Sequence, residues 1–147
     1  MTEVNRHNIR KIAFQTLFMI YSNHIDDSQD AIERVWALTQ RLKTDEEIVI
    51  PDYLIYLVDG VLNQQSDIDA KIQASLKTGW SLPRLNRSDL IILRLGVFEI
   101  IFETELPKKV AINEAIELAK EFGDDTSRAF INGVLSKFVH EEVDKNE

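Results

Sequence analysis

The sequence predicts an all-α fold, and three observations lead there. Only five glycines and three prolines occur in 147 residues, too few turn formers for many short strands. Apolar residues recur three and four apart in segment after segment, the period of an amphipathic helix. Cap-forming Asn, Ser, Asp and Gly punctuate those segments.

Taken in order, the pattern predicts about seven helices. The first runs from about Glu3 to Asn23, with Ile9, Ile12, Ala13, Leu17 and Ile20 on one apolar face. Phe14, Phe18 and Tyr21 fall on the other side, with His7, Arg10 and Lys11 one or two turns earlier. The second fits Ser28 to Leu42, with Ser28 as N-cap and Ile32, Val35, Trp36 and Leu38 inward. "KTDEEIVIPD" reads as a polar loop, and Pro51 takes the first position of the third helix. That helix turns Tyr53 or Leu54, Leu57, Val58, Val61 and Leu62 inward. Ser66 caps a fourth helix through about Lys77 that buries Ile68, Ile72 and Leu76. "TGWSLPRLN" is a connector whose Trp80 is expected to anchor the core. "DLIILRLGVFEIIFE" is nearly all apolar, so a buried strand competes, but its 15 residues favour a central helix. Ser88 or Asn86 would cap it, and Gly96 would let another helix cross closely. The sixth helix lines Ala111, Ala115, Leu118, Ala119 and Phe122 along one face and stops at Gly123. The last restarts at Asp125 or Thr126. It buries Phe130 or Ile131, Val134, Leu135 and Phe138, offers a close crossing at Gly133, and ends in a frayed tail from about 140 to 147.

The length fits one domain with its own core. Cys is absent, which excludes disulfides and thiolate metal sites. The N-terminus lacks the order of a signal peptide, and the longest apolar run, Leu90 to Phe102, is too short for a bilayer and holds Arg94 and Glu99. A soluble cytoplasmic protein is expected. Its net charge of −8 conceals an asymmetry: residues 1–20 carry +2 and the other 127 carry −10. An acidic body repels nucleic acid at long range, so any RNA contact must be local.

Local motifs of catalysis are missing. There is no glycine-rich phosphate loop, and His7, His24 and His140 lack metal-ligand spacing. Glu114 and Glu117 share a helix face that reads as solvated, and the acids of "EFGDDTS" suit a helix cap better than a cation. No enzyme activity, cofactor or metal is expected. Arg94 requires a partner if buried; Glu114 or Glu117 could supply it, or an acid on another protein.

"PKKVAINEAIELAKEFGDDTSRAFINGVLSKF" (Pro107 to Phe138) resembles the C-terminal signature of the NusB family of bacterial transcription antitermination factors. "LPRLNRSDLIILRLGVFEI" resembles the family's central helix and "RHNIRKIAFQTLF" its opening one, so the likeness covers nearly the whole chain. The resemblance implies two small helical bundles sharing the long first helix. It implies binding of the boxA element of ribosomal RNA operon transcripts together with NusE, a small-subunit ribosomal protein, so that RNA polymerase reads through terminators in the elongation complex. Carried over residue by residue, the RNA surface would hold Arg6, His7, Arg10 and Lys11, then Phe122, Thr126, Ser127 and Phe130. The NusE surface would hold Phe18, Asp89 and Arg94. Asn5, His7 and Asn8 dilute an arginine run that is often denser in the family.

The residues alone point the same way. Single-stranded RNA is held by phosphate charge and aromatic stacking, and an acidic remainder suits a basic protein partner. Two rival readings stand beside this RNA adaptor: a purely protein-binding scaffold, and a relative of the helical domain of ribosomal RNA methyltransferases. With 147 residues, no methyl-donor domain is expected beside the helical one. The exposed Phe18 and Tyr21 face also suits a weak homodimer when NusE is absent.

Overall fold

The computed structural model describes residues 5–41 and 49–145, with side chains through residue 139. Seven α-helices and one 3₁₀ turn account for the described elements: α1 (Arg6–Asn23), α2 (Ser28–Thr39), α3 (Asp52–Asn63), α4 (Gln65–Ser75), the turn Leu82–Arg84, α5 (Arg87–Phe102), α6 (Lys108–Phe122) and α7 (Ser127–Lys145). The chain divides into two compact units, Met1–Asn63 and Gln64–Glu147.

In the first unit α1 packs on both α2 and α3, which also meet each other. Two neighbours bury a wider arc of α1 than one stripe. The expected face, Ile9, Ile12, Ala13, Leu17 and Ile20, is buried, but so are Phe14 and Arg10, both placed on the other side by the sequence pattern. Asn5 caps α1, its side chain accepting from the Asn8 N–H at 2.9 Å. Asp27 caps α2 in place of the expected Ser28, whose hydroxyl instead donates to Asp59 of α3 at 2.8 Å. Leu38 was expected inward and is 72% exposed in the last turn of α2. Pro51 stands one residue ahead of α3, and its carbonyl accepts from the Leu54 N–H at 3.1 Å. Leu42, residues 43–48 of the loop and the expected start at Glu3 lie outside the described residues.

In the second unit α5 is the central element, packed by α4, α6 and α7. Every residue from Ile91 to Ile100 is buried, as a helix apolar on all sides should be. Asn86 caps it, accepting from the Asp89 N–H at 2.8 Å. Gly96 is the close crossing: a Cβ there would lie 2.8 Å from Leu135 of α7. α4 begins at Gln65 rather than after Ser66, and ends at Ser75 with Leu76 half-buried beyond it. α7 continues through Lys145, beyond residue 140 where the polar tail begins.

Gly133 is not a close crossing, since a Cβ there would meet nothing within 4 Å. Glycine inside a helix costs about 0.5–1 kcal/mol relative to alanine. Gly133→Ala is therefore expected to stabilise the protein by about that amount, read as a rise in urea midpoint with unchanged slope. A loss would mean that the added methyl has a neighbour.

Candidate nucleic-acid interface

At the start of α1 the four basic residues take different positions. Arg6 is exposed, and its guanidinium lies 3.6 Å from the centre of the Tyr53 ring of α3. A cation on a ring face is held by the ring quadrupole, while guanidinium N–H groups remain suited to phosphate. Arg10, expected on the RNA surface, is only 4% exposed and lies 5.9 Å from the same ring. It belongs to the interior because α2 and α3 close over more of α1 than the aliphatic stripe announces. His7 and Lys11 are half-buried. Tyr53 itself was expected only as a core alternative to Leu54; Leu54 is fully buried and Tyr53 is not.

The second cluster is the α6–α7 turn. Gly123 has φ −98, an ordinary extended backbone, so it is not a left-handed helix stop. It is there for space: a Cβ would sit 2.6 Å from Ser127 and 2.8 Å from the Ala119 carbonyl oxygen. Asp124 organises the restart. Its Oδ1 accepts from the Thr126 N–H at 3.0 Å, the Thr126 hydroxyl at 2.8 Å and the Ser127 hydroxyl at 3.2 Å. These bonds, those from Thr126 foremost, hold its carboxyl below the ordinary range. Asp124 thus works at the helix start, as the sequence expected of the acids of this turn. Thr126 is exposed and Phe122 and Phe130 are half-buried. Ser127, expected at the RNA surface, is fully buried; its Oγ also accepts from the Asp124 N–H at 3.0 Å. Its role is to shape the turn that displays Thr126.

Thr126 and Phe130 open onto a cavity of about 570 Å³ in the second unit, also lined by Lys77, Trp80, Arg84, Asp89 and Lys137. Asp89, expected on the NusE surface, is buried at 7% exposure instead. Its Oδ2 accepts from Asn86 Nδ2 at 3.1 Å, while its Oδ1 is buried without a hydrogen-bond partner. Burial is the main cause that raises its carboxyl above the ordinary value, the Ser127 hydroxyl pulling the other way and the Asp124 charge adding to the rise. An acid whose folded pKa exceeds its unfolded one costs stability at neutral pH. That cost is relieved as pH falls through the raised value. Asp89→Asn is expected to melt higher than the parent at pH 7, and the gap to close toward pH 4. A gap that widened on acidification would contradict the assignment.

The residues expected to meet a partner protein separate in the same way. Phe18 is 37% exposed beside the buried Phe14, ring centres 6.0 Å apart. Arg94 is buried in α5, and its Nε and Nη2 donate to the two carboxylate oxygens of Asp69 of α4 at 2.8 and 2.9 Å. This is a partner the sequence reading did not name. Glu117 pairs instead with Lys120 at 2.9 Å on an exposed face.

Trp80, expected in the core, is 48% exposed. Its loop is fixed away from the interior. Gln73 of α4 donates to the Trp80 carbonyl at 3.0 Å and accepts from the Leu82 N–H at 3.1 Å. Gly79 turns the chain at φ +93, a conformation that favours glycine. Arg84 donates to the Gly79 carbonyl at 2.7 Å and lies 5.3 Å from the Trp80 ring centre. The sequence signal was the glycine directly before the tryptophan, which marks a turn rather than an inward anchor.

Among the described residues no group of acidic, His or Cys side chains could hold a metal ion, and no helix is long and apolar enough to cross a membrane.

The model of the NusB family matches residues 7–140, a span that runs through both units. The transcription antitermination protein NusB of Latilactobacillus sakei is 51% identical over 142 residues, 95% of this chain and 99% of the relative. That of Enterococcus faecalis is 43% identical over 145 residues, 97% and 94% of the two chains. Among solved structures, T. maritima NusB superposes with a TM-score of 0.81 at 30% identity, covering 95% of this chain and 94% of that one. A crystal structure of antitermination factors NusB and NusE in complex with dsRNA gives 0.76 at 26% identity, covering 90% and 94%.

Proposed function

The chain belongs to the NusB family of transcription antitermination proteins, and on that premise we propose that it is a non-catalytic adaptor joining RNA to protein. Its RNA ligand is the boxA element of ribosomal RNA operon transcripts, and its protein partner is NusE. The pair delivers boxA to the elongation complex in the cytoplasm. The two units act together as one RNA-binding domain.

The observation that carries this reading is local. A chain of net −8 presents exposed Arg6 on the Tyr53 ring, with Lys11 a turn and a half further along α1. Phosphate contact requires cations in one place, whatever the net charge. Arg6 and Lys11 make the phosphate contacts of α1, His7 assists, and Arg10 supports them from within. In the second unit Thr126, Phe122 and Phe130 supply a further RNA contact. Phe18 is the protein-facing residue, and the same exposed ring is the contact for a weak homodimer expected when NusE is absent. Arg94 serves the second unit's interior.

The test is titration of labelled boxA RNA with and without NusE, for the parent and for Arg6→Ala/Lys11→Ala. Each lost phosphate contact should weaken binding about fourfold at physiological salt, and two about tenfold or more. Equal binding of boxA and a scrambled RNA would leave the purely protein-binding scaffold as the reading.

A further inference from the structure

We propose that the cavity in the second unit is a nucleobase site, in which the exposed Trp80 ring stacks on a base of single-stranded RNA while Lys77 and Arg84 meet the flanking phosphates. The proposal deepens the RNA reading above and rests on it; Trp80, Lys77 and Arg84 lie outside the expected RNA surface, which reaches this cavity at Thr126 and Phe130.

Four observations converge. The cavity, about 570 Å³, falls within the roughly 300–1,000 Å³ that ligand sites span. Its lining holds two rings, Trp80 and Phe130, and three cations, Lys77, Arg84 and Lys137, against the single carboxylate of Asp89. On a chain of net −8 that is a reversal of charge, and it complements an anionic strand. The Trp80 backbone is held away from the core by Gln73, Gly79 and Arg84, and its ring, 48% exposed, lies 5.3 Å from the Arg84 guanidinium before anything binds. A pre-positioned ring loses little freedom on stacking. Lastly, Asp89 Oδ1 is a buried acceptor without a partner, and such groups are costly unless something satisfies them. Every nucleobase carries an N–H on its Watson–Crick edge that could donate there once the base enters.

A protein partner is the competing occupant of such a cleft. The cations favour RNA, because the partner expected for this chain is itself basic and would be repelled from Lys77, Arg84 and Lys137.

The experiment follows Trp80 by fluorescence. The chain has two tryptophans, and Trp36 is buried in the first unit. Single-stranded boxA RNA, added to the full chain with NusE present, should quench the emission. In Trp80→Phe the quench should vanish while affinity is largely kept, since phenylalanine still stacks. Trp80→Ala should weaken RNA binding about 5- to 150-fold, leaving the slope of log affinity against log salt unchanged. Arg84→Ala should instead lower that slope by about 0.7. Far-UV circular dichroism checks that each variant folds. The proposal is overturned if the parent binds boxA and Trp80→Ala binds it equally well. It is also overturned if NusE alone quenches Trp80 and the alanine variant loses NusE rather than RNA, which would make the cavity a protein site. A parent that binds no boxA even with NusE overturns the adaptor reading as well.

Discussion

Arg94→Ala is expected to destabilise the second unit by about 3 kcal/mol, a fall in melting temperature of about 10 °C. The guanidinium makes a two-pronged pair with Asp69 at 2.8 and 2.9 Å, with side-chain exposures of 10% and 21%. Removing the arginine leaves the Asp69 carboxylate half-sequestered beside the apolar run of α5, and an uncompensated buried charge costs more than the pair was worth. The partial exposure of Asp69 puts the loss near the lower end of the usual range. Asp69→Ala added to Arg94→Ala should therefore recover part of the loss, because the stranded charge goes with it. An unchanged melting temperature together with lost NusE binding would instead place Arg94 on the partner surface.

Gly123→Ala is the second large effect, expected at about 2 kcal/mol. The backbone there would accept any residue, so the cost is steric. The new methyl would lie 2.6 Å from Ser127 and 2.8 Å from the Ala119 carbonyl. Ser127 has no room to retreat, being fully buried and bonded to Asp124. The carbonyl is backbone, already accepting from the Gly123 N–H at 2.9 Å. Relief must come from moving the turn, which carries Thr126 away from its place at the cavity. Loss of stability should thus be accompanied by weakened RNA binding. Parent-like stability would mean that the turn yields freely.

The helices were legible because periodicity and caps act over short range. α5 could be told from a strand by length, and the polar residues ahead of the apolar run offered Ser88 or Asn86 as its cap, of which Asn86 serves. Most of the α6 face read correctly, Ala111, Ala115, Leu118 and Ala119 being buried, while Phe122 is half-buried and Ile112 joins the interior because α6 packs on both α5 and α7. Where legibility failed, the cause was tertiary. Arg10 and Phe14 are buried because α1 has two neighbours in its unit, which no single-helix pattern reveals. Trp80 stays outside because Gln73 reaches across from α4, a bond between residues seven apart through a loop. Gly133 and Gly96 look alike in sequence, yet only Gly96 meets another helix. Arg94 pairs with a residue twenty-five positions earlier, beyond any local spacing rule. The resemblance singled out the α6–α7 turn as an expected RNA surface, while the geometry divided that turn into Thr126, which is exposed, and Ser127, which shapes it from within.

The most direct test of the adaptor is the salt dependence of boxA binding in the presence of NusE. Three or four phosphate contacts predict a slope of log affinity against log salt of about −2 to −3 for a single strand, shallower by about 0.7 in Arg6→Ala, with boxA preferred over a scrambled sequence. A slope near zero, or no preference for boxA, would contradict the account.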